Sequence, residues 1–207
     1  MASKGTKRTS ATRAGTAGKP GTGTPHPGKT IAVYAGTFDP PTLGHVDVVR
    51  RGLSLFDEII VAIGHNPAKK PTLALEERVE LLGACFRDEP RVRVETFEGL
   101  LIDFCAKRGA KAILRGLRVV SDFDYEFQLG LANRDLDPGI ETVFVLAAKE
   151  HIFVSSSIVR EIASHGHPVG KYVPGPVAKA MARKGKRPER QVELTATERR
   201  TARAERA

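Results

Sequence analysis

Cysteine is scarce: two in 207 residues, Cys85 and Cys105, twenty positions apart and in no C-x-x-C pair. That excludes a disulfide framework or a cysteine-based metal centre, and each thiol falls among apolar neighbours as a small hydrophobe of a reducing compartment. No apolar run approaches the ~18 residues of a membrane span. The N-terminus also lacks the apolar stretch of a secretory signal, although its acid-free, Arg- and Ser/Thr-containing makeup faintly resembles an organellar transit peptide. A cytoplasmic protein without membrane contact is expected. Of the histidines, His26, His65, His165 and His167 share no metal-ligand spacing, so no resident metal is expected.

Acid is missing from the first 29 residues, and this locates the net charge of +9. Residues 1–29 carry six Lys/Arg and no acid, and residues 179–207 carry ten against four, leaving 17 basic and 20 acidic residues in between. The part able to fold is mildly acidic, which argues against nucleic acid as a partner even though the bulk charge invites it. The segment 1–29, built of Gly, Pro, Thr and Lys/Arg, is expected to be disordered, and 182–207 to be disordered or a frayed helix. Residues 30–181 have the length of one ordinary domain.

Within that domain the hydrophobic period alternates. Apolar runs at Ile31–Ala35, Glu58–Gly64, Arg91–Glu95, Ala112–Leu114 and Glu141–Ala147 read as strands. Helical spacing covers Gly44–Phe56, Leu75–Phe86 (with Thr72 as a start signal), Leu100–Arg108 and Asp122–Leu136, and two more helices begin near Ser155 and Pro174. Strands alternating with helices predict an α/β fold, a Rossmann-like open five-stranded parallel sheet with helices on both faces. Ligands in such sheets bind beyond the carboxyl ends of the strands, which directs attention to the segments after Ala35, Gly64, Leu114 and Ala147.

The first of these, Gly36-Thr37-Phe38-Asp39-Pro40-Pro41-Thr42-Leu43-Gly44-His45, leads directly into a helix. Its glycines permit a sharp turn and a close ligand approach, and His45 falls in the first helical turn, where free N–H groups and the helix dipole attract phosphate. After the second strand come Lys69 and Lys70, and after the fourth Arg115 and Arg118 flanking Gly116. Each pair alone is an ordinary solvated loop; four cations at one sheet edge suit phosphate, which a guanidinium fork grips with two bonds. Ser155–Ser157 offers both an N-cap and hydroxyl donors. Asp122 and Glu126, one helical turn apart, read on their own as members of a structural ion-pair network with the cations.

The ten-residue string resembles the H-x-G-H signature of the nucleotidyltransferase superfamily, here Thr42-Leu43-Gly44-His45 with Thr in place of the first His. Asn66–Pro71, Arg115–Arg118, Asp122–Glu126 and Val154–Arg160, in this order and spacing, are similar to the bacterial phosphopantetheine adenylyltransferase family over roughly residues 30–181. The resemblance implies transfer of the adenylyl group of ATP to 4′-phosphopantetheine, with Mg²⁺ arriving with the ATP, coenzyme A as feedback inhibitor, and a homohexamer. It implies catalytic roles for Thr37, His45, Lys69 and Arg118, and phosphopantetheine contacts from Thr37, Lys69, Leu101 and Arg115. It places Thr37, Phe38, His45, Gly116, Leu117, Arg118, Glu126 and His151, Ile152, Phe153, Val154, Ser155, Ser156, Ser157 around ATP. Position 151 is commonly a large aromatic in that family; His151 is a substitution beside the nucleotide.

Overall fold

Strands β1 (Ile31–Gly36) and β2 (Glu58–Gly64) are apolar runs without alternation because both of their faces are covered. They lie at the centre of a computed structural model that describes residues 28–65 and 71–185. With β3 (Val92–Phe97), β4 (Ala112–Leu117) and β5 (Glu141–Leu146) they form one parallel sheet in the order β3-β2-β1-β4-β5. Tyr34 of β1 stands opposite Val61 on one side and Leu114 on the other.

Helices α1 (Leu43–Gly52) and α2 (Leu75–Cys85) cover one face, where Tyr34, Ile59, Val61 and Leu114 pack against Val49 and Leu82. On the other face Val33, Ile60 and Ile113 pack against Ile102 and Cys105 of α3 (Leu101–Lys107). Helix α4 (Val120–Leu136) borders β4 and β5. Helices α5 (Ser156–Ser164) and α6 (Gly175–Gly185) add a third cluster, in which Leu73, Val159, Val173 and Val177 are closed against α2 by Leu81 and Cys85. The predicted architecture therefore holds. Cys105 is buried and Cys85 half-buried, and loss of solvation pushes both thiols up, to about 12 and about 11.

Several elements differ from expectation for identifiable reasons. Strand β4 continues through Arg115, Gly116 and Leu117, which pair with Phe144, Val145 and Leu146; their mixed polarity had read as a loop. Helix α1 ends at Gly52, and Leu53–Phe56 form a turn whose apolar side chains imitate helical spacing. Thr72 does not start α2; Ala74 does, and the Glu77 carboxylate reaches back to its amide at 2.8 Å. A short 3-10 turn at Lys149–His151, unmarked in the sequence, precedes α5. Helix α6 runs four residues past 181, so 182–185 of the expected C-terminal tail are helical; of the tails 1–29 and 182–207, residues 1–27 and 186–207 lie outside the described residues. Among the described residues no helix is long and apolar enough to cross a membrane.

Candidate active site

The chain passes from β3 to β4 across β2 and β1, so strand order reverses between β1 and β4. A cavity of about 330 Å³ opens at their carboxyl ends, the position an open α/β sheet reserves for ligand. One wall is the turn from Gly36 to Thr42, which is fixed from several directions. The buried Asp39 carboxylate accepts the amides of Thr72 and Leu73, each at 2.8 Å. Arg160 of α5 donates to the Asp39 carbonyl, and the Ser156 hydroxyl donates to that of Pro40 at 2.8 Å. The Leu43 amide reaches the Tyr172 carbonyl at 2.9 Å.

These anchors sustain an unusual backbone. Phe38 has φ of +48°, a left-handed conformation that costs a non-glycine residue on the order of 1 kcal/mol. Its ring is buried, meeting Tyr34 edge-on at 5.5 Å and His45 at 5.1 Å between ring centres. A Cβ at Gly36 would lie 3.0 Å from that ring, so glycine at 36 is what lets Phe38 fold back over the strand end.

Thr42 and His45 explain the departure from H-x-G-H. Thr42 is the N-cap of α1, and its Oγ1 accepts the His45 amide at 3.3 Å. In return His45 Nδ1 accepts the Thr42 amide at 2.9 Å, so imidazole plays the part that Glu or Gln takes in an ordinary capping box. An Nδ1 that accepts a backbone N–H carries no proton. The neutral ring then holds its proton on Nε2, the nitrogen left for the cavity that His45 lines. Loss of solvation, with Arg118 adding repulsion, pushes the imidazole down to about 4. His45 is thus a neutral donor at physiological pH.

The cations arrive paired. Arg115, from the end of β4, grips Glu126 of α4 with two bonds, one of 2.6 Å from Nε, and gives Nη1 to the Ala35 carbonyl at 3.0 Å. Arg118 grips Asp122 at 3.1 and 3.2 Å and reaches the Val154 carbonyl at 3.3 Å. The ion-pair reading of Asp122 and Glu126 is correct, and the pairs stand on the cavity wall. Between them the Tyr34 phenol, absent from the sequence-based candidates, also lines the cavity; burial pushes its ionisation far above the ordinary range, so it is a neutral O–H. An isolated tyrosine in an apolar strand reads as core, and nothing in the sequence distinguishes it. Among the described residues no group of three or more His, Cys, Asp or Glu gathers to hold a metal.

Of the sequence-based candidates, Thr37, Phe38, His45, Arg115, Gly116, Arg118, Glu126, His151 and Val154 line the cavity together. Leu117, Ile152 and Phe153 do not, and Phe153 is 69% exposed. Leu101 stands at the start of α3 against the second core cluster, outside the cavity. Ser155 is the N-cap of α5, accepting the Ile158 amide at 3.2 Å; Ser156 holds the Pro40 carbonyl; Ser157 accepts from Arg160. Through Ser156 the serine run couples α5 to the turn from Gly36 to Thr42 rather than facing the cavity directly. Lys69 and Lys70 lie outside the described residues.

A phosphate-attracting turn at a strand order reversal, a neutral histidine at a helix start and paired arginines from the adjoining strand define an α/β nucleotidyltransferase. The comparisons carry this further. The cytidylyltransferase-like family matches residues 33–162. A phosphopantetheine adenylyltransferase of Caldanaerobacter subterraneus subsp. tengcongensis is 46% identical over 157 residues, covering 76% of this chain and 98% of that protein. One from Heliobacterium modesticaldum is 50% identical over 155 residues, 75% of this chain and 92% of that protein. This chain belongs to the phosphopantetheine adenylyltransferase family. The fold also matches solved structures. A putative nicotinate-nucleotide adenylyltransferase from Vibrio parahaemolyticus has a TM-score of 0.57 at 19% identity, covering 76% of this chain and 94% of that one. A bifunctional NMN adenylyltransferase/ADP ribose pyrophosphatase from Francisella tularensis has a TM-score of 0.57 at 17% identity, with 75% of this chain and 49% of that one covered.

Proposed function

We propose that the chain transfers the adenylyl group of ATP to 4′-phosphopantetheine, giving dephospho-coenzyme A and pyrophosphate. The observation that carries this reading is the neutral His45, held by Thr42 with Nε2 left for a cavity that also has Arg115 and Arg118 on its wall. The nucleophile is a phosphate monoester with a second pKa of about 6, dianionic at neutral pH, so no general base is needed. One of its oxygens attacks the α-phosphorus of ATP. The new P–O bond forms as the bond from α-phosphorus to the bridging oxygen breaks, and pyrophosphate leaves with that electron pair. Two polyanions resist approaching each other, and the protein's task is positioning and charge stabilisation.

His45 Nε2–H donates to a non-bridging oxygen of the α-phosphoryl group as charge grows there, assisted by Thr37. Arg115 and Lys69 hold the phosphate of phosphopantetheine, and Arg118 holds the β- and γ-phosphates. Both arginines keep their carboxylate partners, each through Nε and Nη2, and the N–H groups left over on each guanidinium are what phosphate takes up. Because Asp122 and Glu126 are engaged by arginines, neither carboxylate offers Mg²⁺ a free ligand; the ion enters as part of MgATP, held by phosphate and water.

The family resemblance also supports a cytoplasmic homohexamer regulated by coenzyme A. An observation that favours assembly is one stripe of α4, where Phe123, Phe127 and Leu131 recur at helical spacing, are 43–50% exposed, and Phe123 stacks on Phe127 at 5.5 Å. Apolar surface of that extent on one helix calls for a partner. The test of the activity is a panel of phosphorylated acceptors offered with ATP or CTP and followed by pyrophosphate release. Turnover confined to ATP with 4′-phosphopantetheine is expected; turnover with another acceptor, or with CTP, refutes the assignment.

A further inference from the structure

Three of the four arginines around the phosphate turn have a carboxylate: Arg115 has Glu126, Arg118 has Asp122 and Arg160 has Asp39. The fourth, Arg78 of α2, is 4% exposed and has no carboxylate partner among the described residues. Its guanidinium donates from Nη1 to the Thr37 carbonyl at 2.8 Å and from Nε to the Ala74 carbonyl at 3.4 Å. A buried cation without a counterion is costly, and a site that retains one has a use for positive charge.

The geometry points to that use. In a trans peptide the C=O and the following N–H are directed oppositely. With the Thr37 carbonyl drawn back to Arg78, which is not in the cavity wall, the Phe38 N–H is directed forward, to the side where Thr37 and Phe38 line the cavity. That amide makes no backbone hydrogen bond among the described residues. The φ of +48° at Phe38 shows that this orientation is not the one the backbone prefers: flipping the 37–38 peptide would relieve the left-handed conformation and turn the donor away.

We propose that Arg78 is a positioning residue of the adenylyl-transfer site: it holds the Thr37 carbonyl so that the Phe38 N–H is aimed at a phosphoryl oxygen, and its unpaired charge favours the anion beyond that peptide. This rests on reading the cavity as a polyphosphate site. Arg78 itself touches no substrate. It acts through one peptide group, so it affects the phosphate chain and not the pantetheine arm.

The test uses the full chain and two variants, Arg78→Met and Arg78→Lys. Urea midpoints, calorimetric affinities for ATP and for inorganic pyrophosphate, and kcat and KM for each substrate are measured. Arg78→Met should bind pyrophosphate about tenfold more weakly and lose about 10²-fold in kcat, the scale of removing one oxyanion donor, with KM for 4′-phosphopantetheine unchanged. Arg78→Lys, a point charge without the fork, should recover pyrophosphate affinity but not kcat. Wild-type pyrophosphate affinity and kcat in Arg78→Met overturn the proposal, as does a loss of all parameters in both variants in proportion to the unfolded fraction. If Arg78→Met does not fold, wild-type kcat in Arg78→Lys overturns it by itself. A wild-type chain that binds pyrophosphate yet transfers nothing to 4′-phosphopantetheine refutes the function while the affinities still judge Arg78. A wild-type chain that binds neither ATP nor pyrophosphate overturns both.

Discussion

Thr42 and His45 cap one another: the His45 amide donates to Thr42 Oγ1 at 3.3 Å, and the Thr42 amide donates to His45 Nδ1 at 2.9 Å. The pair ties the start of α1 to the tautomer of the imidazole. In nitrogen-detected NMR, His45 should appear as the Nε2-protonated tautomer at pH 7 and titrate near 4, well below an ordinary histidine. Since the native imidazole binds its proton more weakly than the unfolded one, the unfolded state takes up a proton first as pH falls. The contribution of His45 to stability is therefore complete above pH ~6.5 and is lost as pH falls from there towards 4. A His45 resonance titrating at 6.5 would contradict the capping geometry. His45→Ala should fold, yet lose roughly 10²–10³ in kcat.

Arg115 and Glu126 form a half-buried, two-bond pair, and the arginine is the member that holds substrate phosphate in the proposed chemistry. Glu126→Ala should destabilise by about 3 kcal/mol, because it leaves a guanidinium desolvated without its carboxylate. The double variant Arg115→Met, Glu126→Met removes both charges and should recover most of that stability while remaining inactive. Urea denaturation beside pyrophosphate release separates the two effects. A double variant as unstable as Glu126→Ala would show that the bond to the Ala35 carbonyl, and not the charge balance, governs stability here.

Much of the site was legible because it is local. The string from Gly36 to His45 contains its own turn, cap and helix start, and the periodicity of β1 and β2 places it at a sheet edge. What escaped is non-local. Asp39 gives no sign in sequence that it holds Thr72 and Leu73 across 33 and 34 residues, nor Arg78 that it reaches Thr37 across 41. Arg115 and Gly116 read as loop residues because polar and small residues weaken a strand signal, although β5 pairs with them. Leu101, named only through the family resemblance, stands at the start of α3 on the opposite face of the sheet from Tyr34 and α1, a placement that no local pattern in the sequence announces.

Gly116 is required by packing. A Cβ there would lie 2.8 Å from Val48 Cγ2, because α1 crosses close over the end of β4. Gly116→Ala should cost about 1–3 kcal/mol by overpacking and displace Arg115 and Arg118 on either side, raising KM for ATP. Adding Val48→Ala opens space for the new methyl and should restore part of the stability. If the double variant is less stable than the sum of the single ones, the contact with Val48 is not the cause.

Lys184 bears on where the functional domain ends. Its Nζ donates to the Thr72 carbonyl at 2.9 Å and to Glu77 at 2.7 Å, and Thr72 is a residue whose amide holds Asp39. A chain trimmed to residues 29–185 should retain wild-type kcat and unfolding midpoint. Trimming at 181 removes Lys184 and leaves a terminal carboxylate at the end of α6 beside Met181, which is 2% exposed. A negative charge there opposes the helix dipole, and with the lost bonds it should lower stability by about 1–2 kcal/mol. Lys184→Ala in the full chain separates the two causes: a midpoint equal to wild type would assign the loss to the truncated helix end, whereas a midpoint matching the 29–181 chain would assign it to the anchor on Thr72.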